Sequence, residues 1–200
     1  MAKVKICGLR FTQDAEYVNE AKPDFAGFIL SEGFRRSIDL NTAITLREII
    51  DKSINTVGVF VNEDISNILN AIESGAVGVI QLHGSEDNDY IDNLKKHTDK
   101  TIIKAFTIKS PDDIEKAKKC HADFVLLDSG TGTGKEFDQS LIGEFPREYF
   151  LAGGMNPDNV KQRINELKPY AVDVSSGVET DGIKDREKVI RFVREARRNH

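Results

Sequence analysis

The sequence predicts an eight-stranded β/α barrel, a (β/α)8 or TIM barrel, built as a single domain from residues 1–200. Short apolar runs alternate with amphipathic helical patterns about eight times along the chain. The runs are apolar on both faces, which is typical of a parallel sheet covered by helices. No linker-like stretch divides the 200 residues, a length at the lower end of the range for barrels. The alternative, a doubly wound open sheet, normally uses five or six strands.

The strands are predicted from short runs, most of them β-branched and bounded by turn residues. In chain order they are Val4–Cys7, Phe25–Leu30, Thr56–Val61, Val77–Leu82, Thr101–Phe106, Phe124–Asp128, Tyr149–Ala152 and Ala171–Ser175. The helices follow from apolar residues at helical spacing. They are Thr12–Glu20, Asn41–Asp51, Asp64–Ser74, Glu86–His97, Pro111–Lys119, Asn156–Leu167 and Asp185–Arg197. The sixth connection, around Asp138–Gly143, is short and carries the weakest helical pattern.

The composition disfavours several classes of protein. The net charge is −5 and the basic residues are scattered, which argues against a nucleic-acid-binding face. The longest apolar runs are strand-sized and the N-terminus has no apolar signal core, so we expect neither a membrane span nor secretion. Two cysteines form neither a disulfide framework nor a metal cluster. We therefore expect a cytoplasmic protein, either a monomer or a homodimer.

Barrels carry their active sites on the loops after the strands, so residues at strand ends are the candidates for chemistry. Cys7 ends the first strand and is followed by Gly8. It is either a small buried apolar residue or a thiolate that acts as base or nucleophile. Asp128 ends the sixth strand after four apolar residues. It is either a turn residue or an acid–base group at the barrel mouth.

Two small-residue turns predict a phosphate site. Gly153 and Gly154 follow the seventh strand, and Ser175, Ser176 and Gly177 follow the eighth. Barrels often bind phosphate on the loops after these two strands, because backbone N–H groups are open to an anion there. The glycine-rich segment Ser129–Lys135 lacks the residues that a Walker loop or a dinucleotide-binding loop requires. We interpret it as a flexible loop over the site.

Two further loops offer polar side chains. Arg35 and Arg36 follow the second strand. Either both are surface charges, or one of them binds a substrate carboxylate through two parallel hydrogen bonds. His83 follows the fourth strand and either lines the pocket or hydrogen-bonds loop backbone.

At this point the motifs resemble one family. The segments that carry the resemblance are Lys5-Ile6-Cys7-Gly8-Leu9, Gln81-Leu82-His83-Gly84, the Gly-Thr-Gly-Lys loop, Leu151-Ala152-Gly153-Gly154, Val172–Glu179 and Gly182-Ile183-Lys184-Asp185. They look like the segments of phosphoribosylanthranilate isomerases, in the same order and over nearly the whole chain. The resemblance implies a barrel enzyme of tryptophan biosynthesis that needs no metal or organic cofactor. Its substrate is N-(5-phosphoribosyl)anthranilate, a phosphorylated sugar on an aromatic amine, and its product is 1-(2-carboxyphenylamino)-1-deoxyribulose 5-phosphate.

The resemblance also implies roles for individual residues. Cys7 matches the general base, Asp128 the general acid and Arg36 the arginine that receives the anthranilate carboxylate. Two segments depart from the family pattern. One is Glu-Gly-Phe-Arg-Arg, which ends at Arg36, and the other is Glu136–Gln139, which follows Lys135 of the glycine-rich loop. The first departure leaves open whether Arg35 or Arg36 binds the carboxylate.

Rival functions remain open at the level of sequence. One is another phosphosugar-binding barrel, such as an aldolase, a decarboxylase or a related sugar isomerase. An aldolase needs a lysine at a strand, for which Lys104 is the candidate. The other is a non-catalytic phosphosugar sensor, which the presence of both Cys7 and Asp128 disfavours.

Overall fold

The chain forms a closed barrel of eight parallel strands in sequential order, β1 to β8, in which β8 pairs with β1. The computed structural model describes residues 1–128, 142 and 145–198. The loop Gly130–Lys135 and most of the connection Asp138–Gly143 lie outside the described residues. The predicted barrel is confirmed and the open sheet is excluded, because an open sheet would leave two unpaired edges.

The predicted strands and helices all appear; β6 and β7 have the predicted bounds, and the others have shifted ends. The strands are β1 Lys3–Cys7, β2 Phe25–Ile29, β3 Asn55–Phe60, β4 Val79–Leu82, β5 Ile102–Thr107, β6 Phe124–Asp128, β7 Tyr149–Ala152 and β8 Ala171–Val174. The helices are α1 Thr12–Ala21, α2 Leu40–Ile49, α3 Ile65–Glu73, α4 Asn88–Lys95, α5 Pro111–Lys118, α6 Val160–Leu167 and α7 Arg186–Arg197. None of the described helices is both long and apolar enough to cross a membrane.

Two local predictions need correction. Asn156 and Pro157 do not begin α6, which starts at Val160. The side chain of Asn156 instead accepts hydrogen bonds from the N–H groups of Asp158 and Asn159, at 2.8 and 3.2 Å. Such an Asx turn competes with helix formation for the same short polar side chain. The predicted end of β8 at Ser175 is also one residue too long.

A short antiparallel hairpin after β8 was not predicted. Its strands are β9 Glu179–Thr180 and β10 Ile183–Lys184. The two residues between them, Asp181 and Gly182, both have positive φ, at 51° and 79°. An Asp-Gly pair favours this kind of two-residue turn, because it tolerates the left-handed backbone. The hairpin lies directly after β8 and therefore at the barrel mouth.

The barrel interior is apolar for most of its height. One side-chain cluster inside it comprises Phe25, Val57, Val79, Ile103, Ala105, Leu126, Phe150, Ala152 and Ala171. A separate and larger cluster packs the helices against the outside of the strands. Polar side chains enter the interior near the strand C-terminal ends, and the functional candidates lie among them.

Candidate active site

With the exception of Lys104, which lies within β5, every described candidate residue lies at the C-terminal end of a strand or in the loop that follows it. Cys7 ends β1 and Asp128 ends β6. His83 directly follows β4. The two small-residue turns directly follow β7 and β8. Closure of the barrel therefore brings these side chains to one mouth, as the strand-end argument predicted.

Cys7 lies next to a buried lysine. Lys5 and Cys7 are two residues apart on β1, so both side chains point into the barrel. Lys5 is fully buried, and its Nζ donates a hydrogen bond to Asp173 Oδ1 on β8 at 3.0 Å. A Cβ on Gly27 of β2 would lie 2.9 Å from Cys7 Sγ and 3.2 Å from Lys5 Nζ. The missing side chain at Gly27 thus leaves the space that the thiol and the ammonium share.

Charge controls the protonation of this lysine. Burial disfavours the ammonium, but the attraction of Asp173 and of Cys7 outweighs burial and raises the pKa of Lys5 above its ordinary value. Lys5 therefore carries a positive charge beneath the thiol at neutral pH. A protonated amine is a poor nucleophile, so Lys5 does not suit Schiff-base chemistry.

Asp128 lies on the other side of the mouth with His83 as its neighbour. The two side chains approach to 3.9 Å between His83 Nε2 and Asp128 Oδ2, and they are about one third and one quarter exposed. Burial lowers the pKa of His83, and Lys5 adds to this effect while Asp128 opposes it. His83 is therefore a neutral imidazole at neutral pH. Its Nδ1 lies 3.4 Å from Gln81 Nε2.

Gln81 is a buried polar residue that the sequence argument did not single out. It lies on β4 and is almost fully buried. Its Oε1 finds no hydrogen-bond donor among the described residues. A buried amide oxygen without a partner is costly, and such groups concentrate at functional sites. Its position beside His83 places it in the same polar group of side chains.

The arginines converge on Glu179 of the hairpin. Arg36 donates from Nε to Oε1 at 2.6 Å and from Nη2 to Oε2 at 3.1 Å. Arg35 donates from Nη2 to Oε2 at 2.6 Å, and Lys184 Nζ binds Oε1 at 3.0 Å. Burial opposes ionisation, but the hydrogen bonds and charges of these cations lower the pKa of Glu179 to about 2. The carboxylate is therefore charged under all ordinary conditions.

The two arginines differ in exposure and position. The Arg35 side chain is 55% exposed and that of Arg36 is 20% exposed. Arg36 also passes close to the end of β1, because a Cβ on Gly8 would lie 2.6 Å from its Cδ. Of the two, Arg36 is thus the one that packs against Gly8, the residue after Cys7. Glu179 occupies the Nε–Nη2 edge of its guanidinium, so a ligand would approach from the Nη1 side.

The two small-residue turns are packed against each other. Gly153 and Gly154 both have positive φ, at 95° and 60°. A Cβ on Gly177 would lie 1.8 Å from the carbonyl oxygen of Met155, so only glycine allows the two loops this contact. The Ser175 hydroxyl donates to the carbonyl oxygen of Cys7 at 3.0 Å. Ser175 therefore ties the end of β8 to the end of β1, a contact that the sequence did not predict.

Lys104 does not face the site. It donates to the carbonyl oxygen of Gly84 at 2.7 Å and to Glu86 Oε2 at 3.0 Å. Its neighbours in the strand, Ile103 and Ala105, belong to the interior cluster, so Lys104 points outward. The only lysine that the sequence argument considered for Schiff-base chemistry is thus misplaced for it. Lys5, which was not a candidate from the sequence, does point inward.

Among the described residues, no group of three or more His, Cys, Asp or Glu side chains converges to hold a metal ion. The polar groups at the mouth suit proton transfer instead: a thiol beside an ammonium, and a carboxyl beside a neutral imidazole. Anchors for a ligand lie around them, with one arginine near β1 and two glycine-containing turns after β7 and β8. This arrangement fits acid–base chemistry on a ligand that carries negative charge.

Comparison with known proteins gives one consistent result. A family model described as N-(5'-phosphoribosyl)anthranilate (PRA) isomerase matches residues 4–195. The N-(5'-phosphoribosyl)anthranilate isomerase of Endomicrobium trichonymphae is 47% identical over 97% of this chain and 98% of its own.

Solved structures agree with the sequence comparison. The phosphoribosyl anthranilate isomerase of Thermotoga maritima superimposes with a TM-score of 0.90 at 34% identity, covering 98% of each chain. A phosphoribosyl anthranilate isomerase in complex with reduced 1-(o-carboxyphenylamino)-1-deoxyribulose 5-phosphate superimposes with a TM-score of 0.88, also at 34% identity and 98% coverage of each chain. Identity, coverage and fold thus all point the same way.

Proposed function

The chain belongs to the N-(5'-phosphoribosyl)anthranilate isomerase family, an isomerase family of tryptophan biosynthesis, and on this premise we propose that Cys7 and Asp128 catalyse an Amadori rearrangement of the phosphorylated sugar. The substrate is N-(5-phosphoribosyl)anthranilate and the product is 1-(2-carboxyphenylamino)-1-deoxyribulose 5-phosphate. The observation that carries the proposal is the placement of a thiol and a carboxyl at one barrel mouth, each with its own polar neighbour.

The phosphate end of the substrate binds at the turns after β7 and β8. Gly153, Gly154, Ser175, Ser176 and Gly177 form this subsite. The contact between Gly177 and Met155 supports the assignment, because it holds the two turns together as one surface. Gly154 and Ser176 are exposed, so their backbone groups are accessible to an anion.

The anthranilate end binds at Arg36. The side chain of Arg36 passes over Gly8, the residue after Cys7, and Glu179 fixes the orientation of its guanidinium through two hydrogen bonds. An oriented guanidinium loses little freedom when it binds a carboxylate. His83 lines the space between this end and Asp128. Anchoring at both ends aligns the reacting carbons with the acid and the base.

The chemistry needs one proton delivered and one removed. Asp128 gives its proton to the furanose ring oxygen, and the C–O bond opens to leave an iminium. The iminium acidifies the neighbouring C–H of the sugar, and the thiolate of Cys7 takes that proton. The electrons of the C–H bond form an enolamine. Loss of the hydroxyl proton and protonation of the terminal carbon then give the ketone, so the two side chains suffice and the proposal invokes no cofactor.

The surroundings of each group support its role. His83 is neutral, so it adds no positive charge that would favour the ionised form of Asp128 before the substrate arrives. The Lys5 ammonium lies beside Cys7, where it favours a negatively charged sulfur. Acid–base pairs of enzymes generally need such contrasting environments.

The proposed role of Cys7 as a base also indicates the cellular compartment of the protein. Cys7 and Cys120 are free thiols. A catalytic thiol stays reduced in compartments that keep thiols reduced, so we place the protein in the cytoplasm.

Turnover of the proposed substrate tests the function directly. Purified protein is added to freshly prepared N-(5-phosphoribosyl)anthranilate, and loss of the fluorescence of this compound is followed. We expect loss far above the rate without enzyme. A protein that binds the product analogue but leaves the fluorescence unchanged would instead be a phosphosugar sensor, and the proposal would fail.

A further inference from the structure

The structure places a buried cation below the proposed base. Lys5 is fully buried, and its Nζ donates a hydrogen bond to Asp173 Oδ1 at 3.0 Å. The point above Gly27 lies 2.9 Å from Cys7 Sγ and 3.2 Å from Lys5 Nζ, so sulfur and nitrogen border the same small space. An ammonium in a position without water interacts strongly with any charge that forms beside it.

We propose that Lys5 is a positioning residue that stabilises the thiolate of Cys7, and that Asp173 in turn holds the Lys5 ammonium in place. This inference rests on the proposed function of Cys7 as the base. It assigns the pair a role that packing alone would not require, because a buried ion pair is not in itself a strong source of stability.

Other charged groups also face Cys7. From the hairpin above, Lys184 interacts electrostatically with Cys7, and from the loop after β2, Arg36 passes over Gly8. Lys184 is held by Glu179, and so is Arg36. From the loop after β4, His83 is neutral. Lys5 differs from the other two cations because its carboxylate partner lies inside the barrel with it.

The reaction of Cys7 with iodoacetamide measures thiolate without any substrate. All variants carry Cys120→Ser, so Cys7 is the single thiol. The double variant Lys5→Met/Asp173→Asn removes both charges and leaves no unpaired ion. We expect the midpoint of its pH–alkylation curve to rise by about one unit, with alkylation at pH 7 slowed about tenfold. Circular dichroism and thermal melting verify that the variant folds.

A second variant tests the part that Asp173 plays. Asp173→Asn alone removes the strongest attraction that keeps the buried Lys5 protonated, and it releases the ammonium from its anchor. Less positive charge then borders the sulfur, so the midpoint should rise and alkylation at neutral pH should be slower than in the parent. General loosening of the barrel would expose Cys7 and speed its alkylation instead. If the double variant does not fold, a midpoint that stays or falls in Asp173→Asn overturns the inference.

A matched control uses Lys104 and Glu86, another buried lysine–carboxylate pair, which points away from the mouth. Lys104→Met/Glu86→Gln should leave the alkylation curve of Cys7 within about twofold of the parent. Equal shifts in both double variants, or no shift in Lys5→Met/Asp173→Asn, would overturn the role of Lys5. Turnover of Cys7→Ser tests the proposed function separately. If that variant is inactive while the alkylation curves coincide, only the inference about Lys5 fails.

Discussion

The buried lysine–carboxylate pairs Lys5–Asp173 and Lys104–Glu86 have the same N–O distance, yet they lie in different surroundings. Lys5 and Asp173 meet inside the barrel at 3.0 Å, and Lys104 and Glu86 meet outside the strand wall at 3.0 Å. The first pair borders the thiol of Cys7. The second is surrounded by backbone, since Glu86 accepts from the N–H groups of Asn62 and Gly84 at 2.7 and 2.8 Å.

The difference shows that burial and charge do not mark function by themselves. The direction of the side chain decides which groups a buried lysine contacts. An inward lysine near the C-terminal end of a strand reaches the site, whereas an outward one reaches the loops. The outer pair joins the loops after β3 and β4 and fixes the segment that begins with His83. Changes at the mouth should therefore reduce turnover, and changes at the outer pair should reduce stability.

The largest effect is expected at Cys7. Cys7→Ser should keep the fold and lower kcat/KM by about 10³–10⁴-fold, because an alcohol is a far poorer base than a thiol. Cys120→Ser is the matched control: this second thiol is also buried but lies outside the mouth, near the start of the loop between α5 and β6. It should be nearly silent in the same fluorescence assay. Similar losses in both variants would contradict the assignment of the base.

Asp128→Asn should have the next largest effect. The amide can hydrogen-bond the ring oxygen but has no acidic proton to give, so we expect a loss in kcat of about 10²–10³-fold. KM should stay within a few-fold of the parent value, so the substitution lowers turnover and leaves substrate binding nearly unchanged. A substrate analogue that is already ring-opened should bypass Asp128 and still require Cys7. If Asp128→Asn keeps most of its activity on the closed-ring substrate, Asp128 is only a turn residue and not the acid.

The two arginines provide an intermediate effect and a direct comparison. Arg36→Ala should raise KM by about 10- to 100-fold, since a hydrogen bond to a charged group contributes about 1.5–3 kcal/mol. Arg35→Ala, which removes the more exposed partner of Glu179, should raise it by less than about threefold. Steady-state kinetics with both variants decide between them. The reverse order would mean that Arg35 receives the carboxylate.

At the outer pair we expect a loss of stability with little loss of rate. Lys104→Met leaves Glu86 buried with two backbone donors, and breaking a buried pair costs about 3–5 kcal/mol of unfolding free energy. The value should lie at the lower end, because those donors remain. Urea unfolding measures it, while kcat at 25 °C should change less than about threefold. A large loss of kcat in a folded Lys104→Met protein would remove the contrast between the two pairs.

The smallest effect is expected for the stability of the fold at acid pH. The pKa of Glu179 is about 2 in the folded protein and has an ordinary value of 4.5. A lowered carboxyl pKa stabilises the fold above pH 4.5, and this contribution is lost as the pH falls from 4.5 towards 2. Glu179→Gln should therefore show a flatter decline of stability over this interval, as judged by urea unfolding at several pH values. Parallel curves for the two proteins would show that Arg35, Arg36 and Lys184 do not favour the charged form.

The barrel was predictable because each strand carries its own local pattern. Apolar runs between turn residues located all eight strands within two residues at either end. Barrels carry their active sites at the strand ends, and Cys7 and Asp128 were selected for this reason. A thiol or a carboxylate is easy to recognise there because apolar residues precede it. Both lie at the mouth as expected.

The neighbours of these residues were less accessible, because they come from distant parts of the chain. Lys5 shares the face of Cys7 by alternation, and this signal was present but unused. Its partner Asp173 depends on the pairing of β8 with β1, which only the closed barrel specifies. The Asp181-Gly182 turn likewise signalled a hairpin, but no local pattern says that Glu179 would meet Arg36 across the mouth.

The Lys5–Asp173 contact also has a consequence for synthesis of the chain. The two residues are 168 positions apart. At about 5–20 residues per second, a ribosome needs roughly 8–34 s to pass from one to the other. Throughout that time the Lys5 side chain must remain hydrated, because its countercharge has not yet been made. A nascent chain arrested before β8 should therefore hold β1 undocked, with the Lys5 ammonium still in contact with water.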